Sequence, residues 1–397
     1  MQDIVDRLAA QDSAAETART LLLPYLNHAA TMYESGYATA PDIDAAMRFG
    51  CGYPIGPLAL VDALGASVVV AGLETLYAQT GDELHQPVSV LTAQAADGST
   101  FAGAADAGAD SAPRLRHEIR QVGVVGTGTM ASGIVEVFAK AGYDVTFVGR
   151  GEDKIAGVLA AITKSLDKAV SRGKLDEDGK AQVLERLTGS TEREALADAD
   201  IIVEAIAEDL EIKLELFADL DRIAKPGAIL ATTTSSLSIN DCAAATKRPQ
   251  DVIGMHFFNP AAVMKLVEVV TGDETTVEVD ETVRALCLAT GKHPVSCGDR
   301  AGFIVNALLF PYLNDAIRLH EAGGGSVEEI DAALKATKLP MGPFELLDVV
   351  GNDVSLAIQR SLVRTFGHAG WQPAPTLERL VDEGKLGRKT GEGFYTY

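Results

Sequence analysis

The chain has 397 residues, of which 47% are hydrophobic, and 56 acidic residues against 34 basic ones give it a net charge of −22. That length is typical of two or three domains with sizeable cores. A charge this negative argues against a nucleic-acid or anionic-membrane surface, so an anionic ligand would need a local basic patch. The four cysteines form no CxxC pair and no zinc spacing, which predicts reduced thiols and no metal site.

The sequence shows no targeting or membrane segment. Its first residues lack a basic stretch followed by an apolar run, so no signal peptide is predicted. No apolar stretch is long enough to span a bilayer. We therefore expect a cytoplasmic protein.

Residues 1–97 are predicted to form a helical domain, because alanine- and leucine-rich segments alternate with glycine and proline. This domain resembles residues 301–397. Six residues from Leu22 align with six from Leu309 at an offset of 287, and five of them are identical. Four residues from Pro54 align with four from Pro340 at an offset of 286, and three of them are identical. Agreement at so many spaced positions predicts two copies of one helical domain, one at each end of the chain.

The two copies differ in their polar residues. Arg19 stands in the first copy where the second has Asn306, and the second ends in a polar segment that includes Lys389. The first copy instead runs into residues 98–117, which are rich in Gly, Ala, Ser and Asp and are predicted to be a flexible linker. Ligand contacts are therefore expected only in the second copy, and the first is expected to be its packing partner.

Residues 118–300 are predicted to be a dinucleotide-binding domain. A strand-like run ends at Val125, a GxGxxA motif follows at once, and a helix and a second strand come next. In this β-α-β setting the motif predicts dinucleotide binding. Gly126 permits the tight turn, and Gly128 lets the backbone approach a pyrophosphate at the helix N-terminus. The cofactor contacts predicted here are Gly126, Gly128, Thr129 and Met130.

The end of the second strand indicates which dinucleotide is bound. NAD-binding folds usually carry an acidic residue there for the ribose hydroxyls, whereas this chain has Gly149 and Arg150. An arginine can pair with a 2′-phosphate. NADP is therefore the favoured cofactor, with NAD as the alternative if Arg150 only stacks on adenine or is solvated.

Two ionisable residues stand in an otherwise apolar stretch, residues 254–270. His256 lies near the end of one predicted strand and Glu268 lies within the next, with a break at Asn259 and Pro260. A carboxylate among valines needs a partner, and a chain that doubles back here can supply the histidine. The pair is predicted to be a general base oriented by an acid, with a structural ion pair as the alternative.

Other polar residues share this placement. Glu208 and Ser235 also follow predicted strands, and ligands of doubly wound sheets bind beyond the carboxyl ends of strands. Their placement favours a catalytic role for His256. A basic cluster in a predicted helix indicates either a polyphosphate docking site or a solvated helix face, and its members are Lys164, Lys168, Arg172 and Lys174.

Eight short motifs are distributed between residues 119 and 397. They are residues 126–128, 234–237, 255–260, 264–269, 291–296, 302–306, 341–348 and 389–395. Together they resemble the short-chain (S)-3-hydroxyacyl-CoA dehydrogenases, the 3-hydroxybutyryl-CoA dehydrogenase group. The N-terminal copy is similar to the C-terminal domain of that family. The resemblance implies an α/β fold, in which a Rossmann-type doubly wound sheet is flanked by two related all-helical domains.

The resemblance implies a role for each matching position. His256 corresponds to the catalytic base, Glu268 to the acid that orients it, and Ser235 and Asn306 to residues that hydrogen-bond the reacting oxygen. Four further positions correspond to cofactor contacts: Glu208, Lys213, Asn259 and Lys389. Two correspond to coenzyme A contacts, and they are Ser165 and Arg172, the second at a position where the family has lysine.

The chain departs from the family pattern at two positions. Gly149 stands at the ribose-binding aspartate, which puts NAD specificity in doubt, and Thr233 stands where asparagine is common. The implied reaction is the NAD(P)-dependent interconversion of (S)-3-hydroxyacyl-CoA, such as 3-hydroxybutyryl-CoA, and 3-ketoacyl-CoA, such as acetoacetyl-CoA, in fatty acid metabolism. The alternatives are a dehydrogenase for another hydroxyacyl-CoA or hydroxy acid, and a non-catalytic dinucleotide-binding protein.

The resemblance also implies an assembly. The resemblance implies a dimer, because members of that family pair through their C-terminal helical domains. Here the first copy is expected to take the partner's place within one chain, which would make an intra-chain pseudo-dimer. A further homo-oligomer stays open.

Overall fold

The computed structural model describes residues 2–105 and 112–397, without the side chains of residues 104 and 105. The chain divides into two compact units. The helical unit combines residues 1–110 with residues 301–397, and the sheet unit comprises residues 111–300. The two helical segments at opposite ends of the chain therefore fold together.

Within residues 2–105, the described helices are α1 Gln2–Ala9, α2 Ser13–Glu34, α3 Ala40–Cys51, α4 Pro57–Leu64, α5 Ala66–Thr80, α6 Ser89–Asp97 and α7 Phe101–Ala105. Local sequence explains their ends, since Asp12 caps the start of α2 and Thr39 the start of α3 through side-chain oxygens. No single described helix is long and apolar enough to cross a membrane. The bent pair α4 and α5, at 101°, passes that test only when taken together.

Within the described residues, one sheet contains β1 Gln121–Val125, β2 Asp144–Val148, β3 Leu187–Ser190, β4 Ile201–Glu204, β5 Ile229–Thr232, β6 Val252–Phe257, β7 Leu266–Thr271 and β8 His293–Gly298. Their order is β3-β2-β1-β4-β5-β6-β7-β8. Neighbours pair in parallel except β6 and β7, which are antiparallel. The order of the first six strands is that of a doubly wound Rossmann sheet, which confirms the predicted fold class.

The described helices of the sheet unit are α8 Thr129–Lys140, α9 Glu152–Ser171, α10 Glu177–Glu185, α11 Leu210–Ile223, α12 Ile239–Ala244 and α13 Val277–Ala289. Strands β4, β5 and β6 are buried along their whole length, as expected for strands covered on both faces. Apolar residues of the strands and of α8, α9 and α13 form one hydrophobic core. This core holds the carboxyl ends of the parallel strands, where the candidate site lies.

The second helical segment contains α14 Val305–Glu321, α15 Val327–Ala336, α16 Pro343–Val350, α17 Asn352–Phe366 and α18 Pro375–Asp382. One local arrangement occurs in both segments. Asp44 accepts hydrogen bonds of 2.8 and 3.0 Å from two backbone N–H groups of α4, and Asp331 accepts bonds of 2.9 and 3.0 Å from two of α16. A Cβ atom at Gly56 or Gly342 would lie 2.2 Å from the corresponding aspartate, so both positions require glycine.

A second arrangement also occurs twice. Asp62 accepts hydrogen bonds of 3.0 Å from the backbone N–H groups of Phe101 and Ala102, and Asp348 accepts bonds of 2.9 Å from those of residues 394 and 395. Phe101 is buried and begins α7. The prediction of a flexible linker from residue 98 is therefore wrong for residues 101–105, because Asp62 binds this segment to the helical unit. Residues 106–111 of the predicted linker lie outside the described residues.

The two helical segments pack through α2, which contacts α14 and α15. The ring centroids of Tyr25 and Tyr312 are 5.9 Å apart, and these residues are related by the sequence offset of 287. A Cβ atom at Gly370 would lie 2.6 Å from Leu84 Cδ1, and these positions are related by the offset of 286. Contact between equivalent positions is a property of interfaces with two-fold symmetry.

Candidate active site

The glycine-rich loop connects β1 to α8. Gly126 has φ of 136°, and a Cβ atom there would lie 2.3 Å from the carbonyl oxygen of Ala205, so only glycine fits. A Cβ atom at Gly128 would meet nothing within 4 Å, and Gly128 caps α8 without a side-chain hydrogen bond. Thr129 and Met130 form the first turn of α8. The helix N-terminus is therefore open to a phosphate group, as the sequence predicts for a dinucleotide.

The second strand ends beside this loop. A Cβ atom at Gly149 would lie 2.4 Å from Cγ2 of Thr127 and 3.2 Å from Cδ1 of Ile155. The threonine methyl group thus occupies the space that a side chain at position 149 would need. The next residue, Arg150, is exposed. This pairing of Thr127 with Gly149 is not visible in the sequence motif, because it depends on the packing of the loop against the end of β2.

His256 and Glu268 lie directly opposite each other in the antiparallel pair β6 and β7. His256 Nδ1 is 2.7 Å from Glu268 Oε2, and both side chains are buried. Ser235, which follows β5, places its Oγ atom 3.0 Å from His256 Nε2. The Phe258 ring packs edge-on against the imidazole at 4.7 Å. The structure therefore brings together three of the four residues predicted to be catalytic.

This geometry determines the hydrogen-bonding roles of the imidazole. An ionised carboxylate can only accept a hydrogen bond, so Nδ1 of His256 donates its proton to Glu268. In the neutral ring, Nε2 then carries a free lone pair, which accepts the hydrogen bond of the Ser235 hydroxyl. The arrangement is that of a histidine base held in one tautomer, with its basic nitrogen turned toward Ser235.

Glu208 organises the loop that carries Ser235. Its Oε1 atom accepts hydrogen bonds from Thr234 Oγ1 at 2.5 Å, from the Ser235 backbone N–H at 2.8 Å and from the Ser236 backbone N–H at 3.2 Å. Burial alone would raise the pKa of Glu208, but the charge of Lys213 and these hydrogen bonds lower it below its ordinary value. Glu208 is therefore an anion that fixes the backbone on both sides of the Ser235 peptide.

A buried ion pair lies behind Glu208. Lys213 Nζ is 2.7 Å from Glu204 Oε1 and 3.4 Å from Glu208 Oε2, and the side chains of Lys213 and Glu204 have no exposed surface. The hydroxyl of Thr232 donates to Glu204 at 2.6 Å. The family resemblance implies a cofactor contact for Lys213, whereas its ammonium group is turned into this network. Glu204 was not predicted, although a charged residue in an apolar strand is a visible signal.

A cavity of about 520 Å³ lies between the glycine-rich loop, α9 and residues 260–263. Gly128 and Ser165 both line it, so the structure places a predicted coenzyme A contact beside the predicted dinucleotide loop. Arg172 follows α9 as its C-terminal cap and is exposed, and Asn259 is exposed just before the turn that lines the cavity.

Two predicted site residues belong to the helical unit. Asn306 is the second residue of α14 and is 9% exposed. The Lys389 ammonium group pairs with Asp353. In the first helical segment, the position of Asn306 is held by Arg19, whose guanidinium donates to the carbonyl oxygens of residues 8 and 10. This arginine therefore ties α1 to α2.

Models of protein families match both units. The model described as 3-hydroxyacyl-CoA dehydrogenase, NAD binding domain, matches residues 121–300. The model described as 3-hydroxyacyl-CoA dehydrogenase, C-terminal domain, matches residues 17–107 and residues 302–397. These matches cover well over half of the chain.

Individual relatives agree with the family models. A 3-hydroxybutyryl-CoA dehydrogenase of Mycobacterium tuberculosis is 46% identical over 284 residues, which is 70% of this chain and 99% of that protein. One from Clostridioides difficile is 45% identical over 278 residues, with the same coverage of 70% and 99%. The crystal structure of (S)-3-hydroxybutyryl-CoA dehydrogenase PaaH1 from Ralstonia eutropha aligns with a TM-score of 0.70 and 39% identity, over 70% of this chain and 99% of that one. The chain belongs to the 3-hydroxyacyl-CoA dehydrogenase family.

Proposed function

We propose that this enzyme interconverts (S)-3-hydroxybutyryl-CoA and acetoacetyl-CoA by hydride exchange with a nicotinamide dinucleotide. The observation that carries the proposal is the hydrogen-bonded series Ser235, His256 and Glu268 in a domain of the NAD-binding family. A buried histidine oriented by a carboxylate is suited to moving the proton that accompanies hydride transfer. The names of relatives near 45% identity support the short-chain substrate.

The cofactor, when bound, accepts the hydride from C3 in oxidation and returns it in reduction. His256 Nε2 takes the proton of the 3-hydroxyl group in oxidation and gives it to the 3-keto oxygen in reduction. Glu268 stabilises the imidazolium through its hydrogen bond to Nδ1. General acid–base help of this kind contributes about 10²–10⁴-fold to the rate. The buried position of both residues strengthens their interaction, because little water screens it.

Ser235 and Asn306 are proposed to bind the reacting oxygen. Ser235 is suited to this because its hydroxyl already lies 3.0 Å from Nε2, so an oxygen that meets the imidazole also meets Ser235. Glu208 keeps the Ser235 loop in place, and Lys213 acts on the site through Glu208. Asn306, Asn259 and Lys389 keep the roles that the family resemblance implies. Ser165, at the cavity wall, and Arg172, at the end of α9, are proposed to contact coenzyme A.

NADP is proposed as the preferred cofactor within this NAD-binding family. Gly149 has no carboxylate to repel a 2′-phosphate, and Thr127 fills the space of a side chain there. Arg150 is exposed just after β2 and would be available to pair with a 2′-phosphate. Both features favour the phosphorylated cofactor.

One experiment tests the reaction and the cofactor together. Acetoacetyl-CoA reduction is followed with NADH and with NADPH, and longer 3-ketoacyl-CoA and non-CoA keto acids serve as competing substrates. We expect the highest kcat/KM with acetoacetyl-CoA and NADPH. A higher kcat/KM with NADH would contradict the cofactor preference alone. Turnover of keto acids in place of CoA thioesters would contradict the proposed substrate.

We also propose that the helical unit is an intra-chain pseudo-dimer of two copies of one domain. The proposal is supported by the repeated aspartate arrangements and by the contacts between equivalent positions, Tyr25 with Tyr312 and Leu84 with Gly370. The alignments include 99% of each of two relatives but only 70% of this chain. The chain therefore carries sequence that these relatives lack. Within this proposal the first copy extends through residue 105.

Deleting residues 1–110 tests the pseudo-dimer. The truncation exposes the faces of α14 and α15 that α2 covers. We expect the truncated chain to dimerise, which analytical ultracentrifugation would detect, or to aggregate. A truncated protein that stays a stable and active monomer would rule the idea out.

A cytoplasmic location is a separate proposal, tested by cell fractionation.

A further inference from the structure

Lys292 precedes β8, and its ammonium group is buried, with 7% of the residue exposed. Its Nζ atom donates hydrogen bonds to the backbone carbonyl oxygens of Ala261 and Met264, the second at 2.7 Å. Burial lowers the pKa of this lysine. A buried cation is costly unless its donors are satisfied, so a lysine here depends on those two carbonyl groups.

The two carbonyl groups belong to the turn between β6 and β7, residues 260–264. The backbone N–H groups of Val263 and Met264 both bond to the Pro260 carbonyl oxygen at 2.9 Å. On its other side the turn packs closely on α8, because a Cβ atom at Gly133 would lie 3.0 Å from the Ala261 Cβ atom. The turn is therefore held between the backbone of α8 and the Lys292 ammonium group.

The position of this turn matters for the site. Residues 260–263 line the cavity that also contains Gly128 and Ser165. The same turn follows β6 and precedes β7, the strands that carry His256 and Glu268. Just beyond it, the backbone N–H of His293 donates to the Lys265 carbonyl oxygen at 2.7 Å. A shift of the turn would change both the width of the cavity and the connection between the two catalytic strands.

We infer that Lys292 is a positioning residue, whose ammonium group fixes the turn of residues 260–264 as one wall of the cavity that Gly128 and Ser165 line. It acts through main-chain atoms, because its ammonium group donates to the carbonyl oxygens of Ala261 and Met264. Any residue without donors would leave the carbonyl groups of Ala261 and Met264 unsatisfied in a buried place. Only the identity of the ligand in the cavity rests on the proposed function.

The first test replaces Lys292 by methionine, which keeps the apolar stem and removes the donors. We expect kcat/KM for acetoacetyl-CoA to fall by about tenfold or more, because small displacements of a site wall are costly to catalysis. Hydrogen exchange of residues 258–265 should accelerate, while that of β1 and β2 should not. K292R, which keeps the donors, should recover part of the loss.

Two further variants separate this role from general stability. K247M removes a charge from an exposed lysine and should leave kinetics and exchange unchanged. G133A pushes Ala261 from the opposite side with Lys292 intact, and alanine favours the helix, so α8 is retained. We expect G133A to reproduce the K292M pattern and the G133A/A261G double variant to restore the wild-type values.

Two results with K292M would overturn the proposed role of Lys292. Wild-type kcat/KM and unchanged exchange of residues 258–265 in K292M would overturn the proposal. So would uniformly faster exchange across the whole sheet unit, since that would indicate a general stabilising role. If the wild-type enzyme failed to reduce acetoacetyl-CoA, the proposed function would fail, and the exchange measurements would still test the role of Lys292.

Discussion

Lys213 Nζ lies 2.7 Å from Glu204 Oε1, and neither side chain has any exposed surface. Removing one member of such a pair leaves an uncompensated buried charge. Substituting Lys213 by methionine is therefore expected to lower the free energy of unfolding by about 3–5 kcal/mol. Urea denaturation would measure this loss. We also expect kcat to fall, because Glu208 would lose its cation and hold the Ser235 loop less firmly.

A matched control is available on the surface of the same unit. Lys225 pairs with Asp200 at 2.6 Å, and its side chain is 40% exposed. K225M should cost about 1 kcal/mol, less than K213M, because the lysine of this pair is exposed and the aspartate is still 17% exposed. Equal stability losses in K213M and K225M would contradict the importance given to the buried pair.

Replacing His256 by glutamine should abolish most turnover and leave dinucleotide binding intact. Glutamine can still hydrogen-bond to Glu268 and Ser235, but it has no basic nitrogen to take the proton. We expect kcat to fall by about 10²–10⁴-fold. Stopped-flow kinetics and a fluorescence titration with NADPH would measure the two properties separately. Near-normal activity in H256Q would refute the assignment of the base.

The packing of Thr127 against Gly149 predicts how the cofactor preference can be changed. Introducing aspartate at position 149 alone should weaken both cofactors, because its Cβ atom would meet the Thr127 methyl group at 2.4 Å. The T127A/G149D double variant removes this clash. We expect it to shift the NADH/NADPH ratio of kcat/KM toward NADH by about tenfold or more, the factor that 1.4 kcal/mol produces.

T127A alone is the control for this pair and should keep the wild-type preference. Thermal unfolding of all four proteins completes the cycle, and G149D is expected to be less stable than the double variant. If G149D behaved alike with and without the T127A change, the two positions would not be coupled.

Asp315 of α14 predicts a pH dependence of stability. Burial raises the pKa of this carboxyl group from 3.8 to about 7. The positive charge of Arg318 lowers the pKa in part, and the negative charge of Asp82 raises it further. The folded chain therefore holds this proton more tightly than the unfolded chain. The resulting stabilisation is complete below pH 3.8 and is lost as the pH rises through about 7.

D315N should remove this dependence. We expect its melting temperature to exceed that of the wild type at pH 8, and the difference to shrink as the pH falls toward 4. The exposed Asp382 provides a control, since D382N should follow the wild-type curve. Differential scanning calorimetry across this range would measure the effect, and parallel curves for D315N and wild type would contradict it.

Several elements of the fold were predictable because their signals are local. Strand β2 and the loop after β1 follow from an apolar run and from glycine spacing. The meeting of His256 with Glu268 followed from the cost of a buried carboxylate, which requires a partner on a neighbouring strand. The β-α-β unit could be predicted from its strand, glycine motif and helix, and the family resemblance implied the rest of the fold class.

Other features depend on contacts between distant residues and could not be predicted. The composition of residues 98–105 is that of a linker, yet Asp62 binds Phe101 and orders this segment. Lys213 resembles a ligand contact by position, and only the packing of α11 against β4 and β5 turns its ammonium group toward Glu204. The contact between the Thr127 methyl group and Gly149 likewise depends on packing between two separate segments of the chain.

The contact between α2 and α14 joins parts of one chain, so dilution cannot separate it as it separates two subunits. Covalent connection has a second consequence. In an assembly of identical subunits, equivalent positions must carry the same residue. Here the first copy has Arg19 where the second copy has Asn306. Each half of this molecule is free to specialise without altering its counterpart.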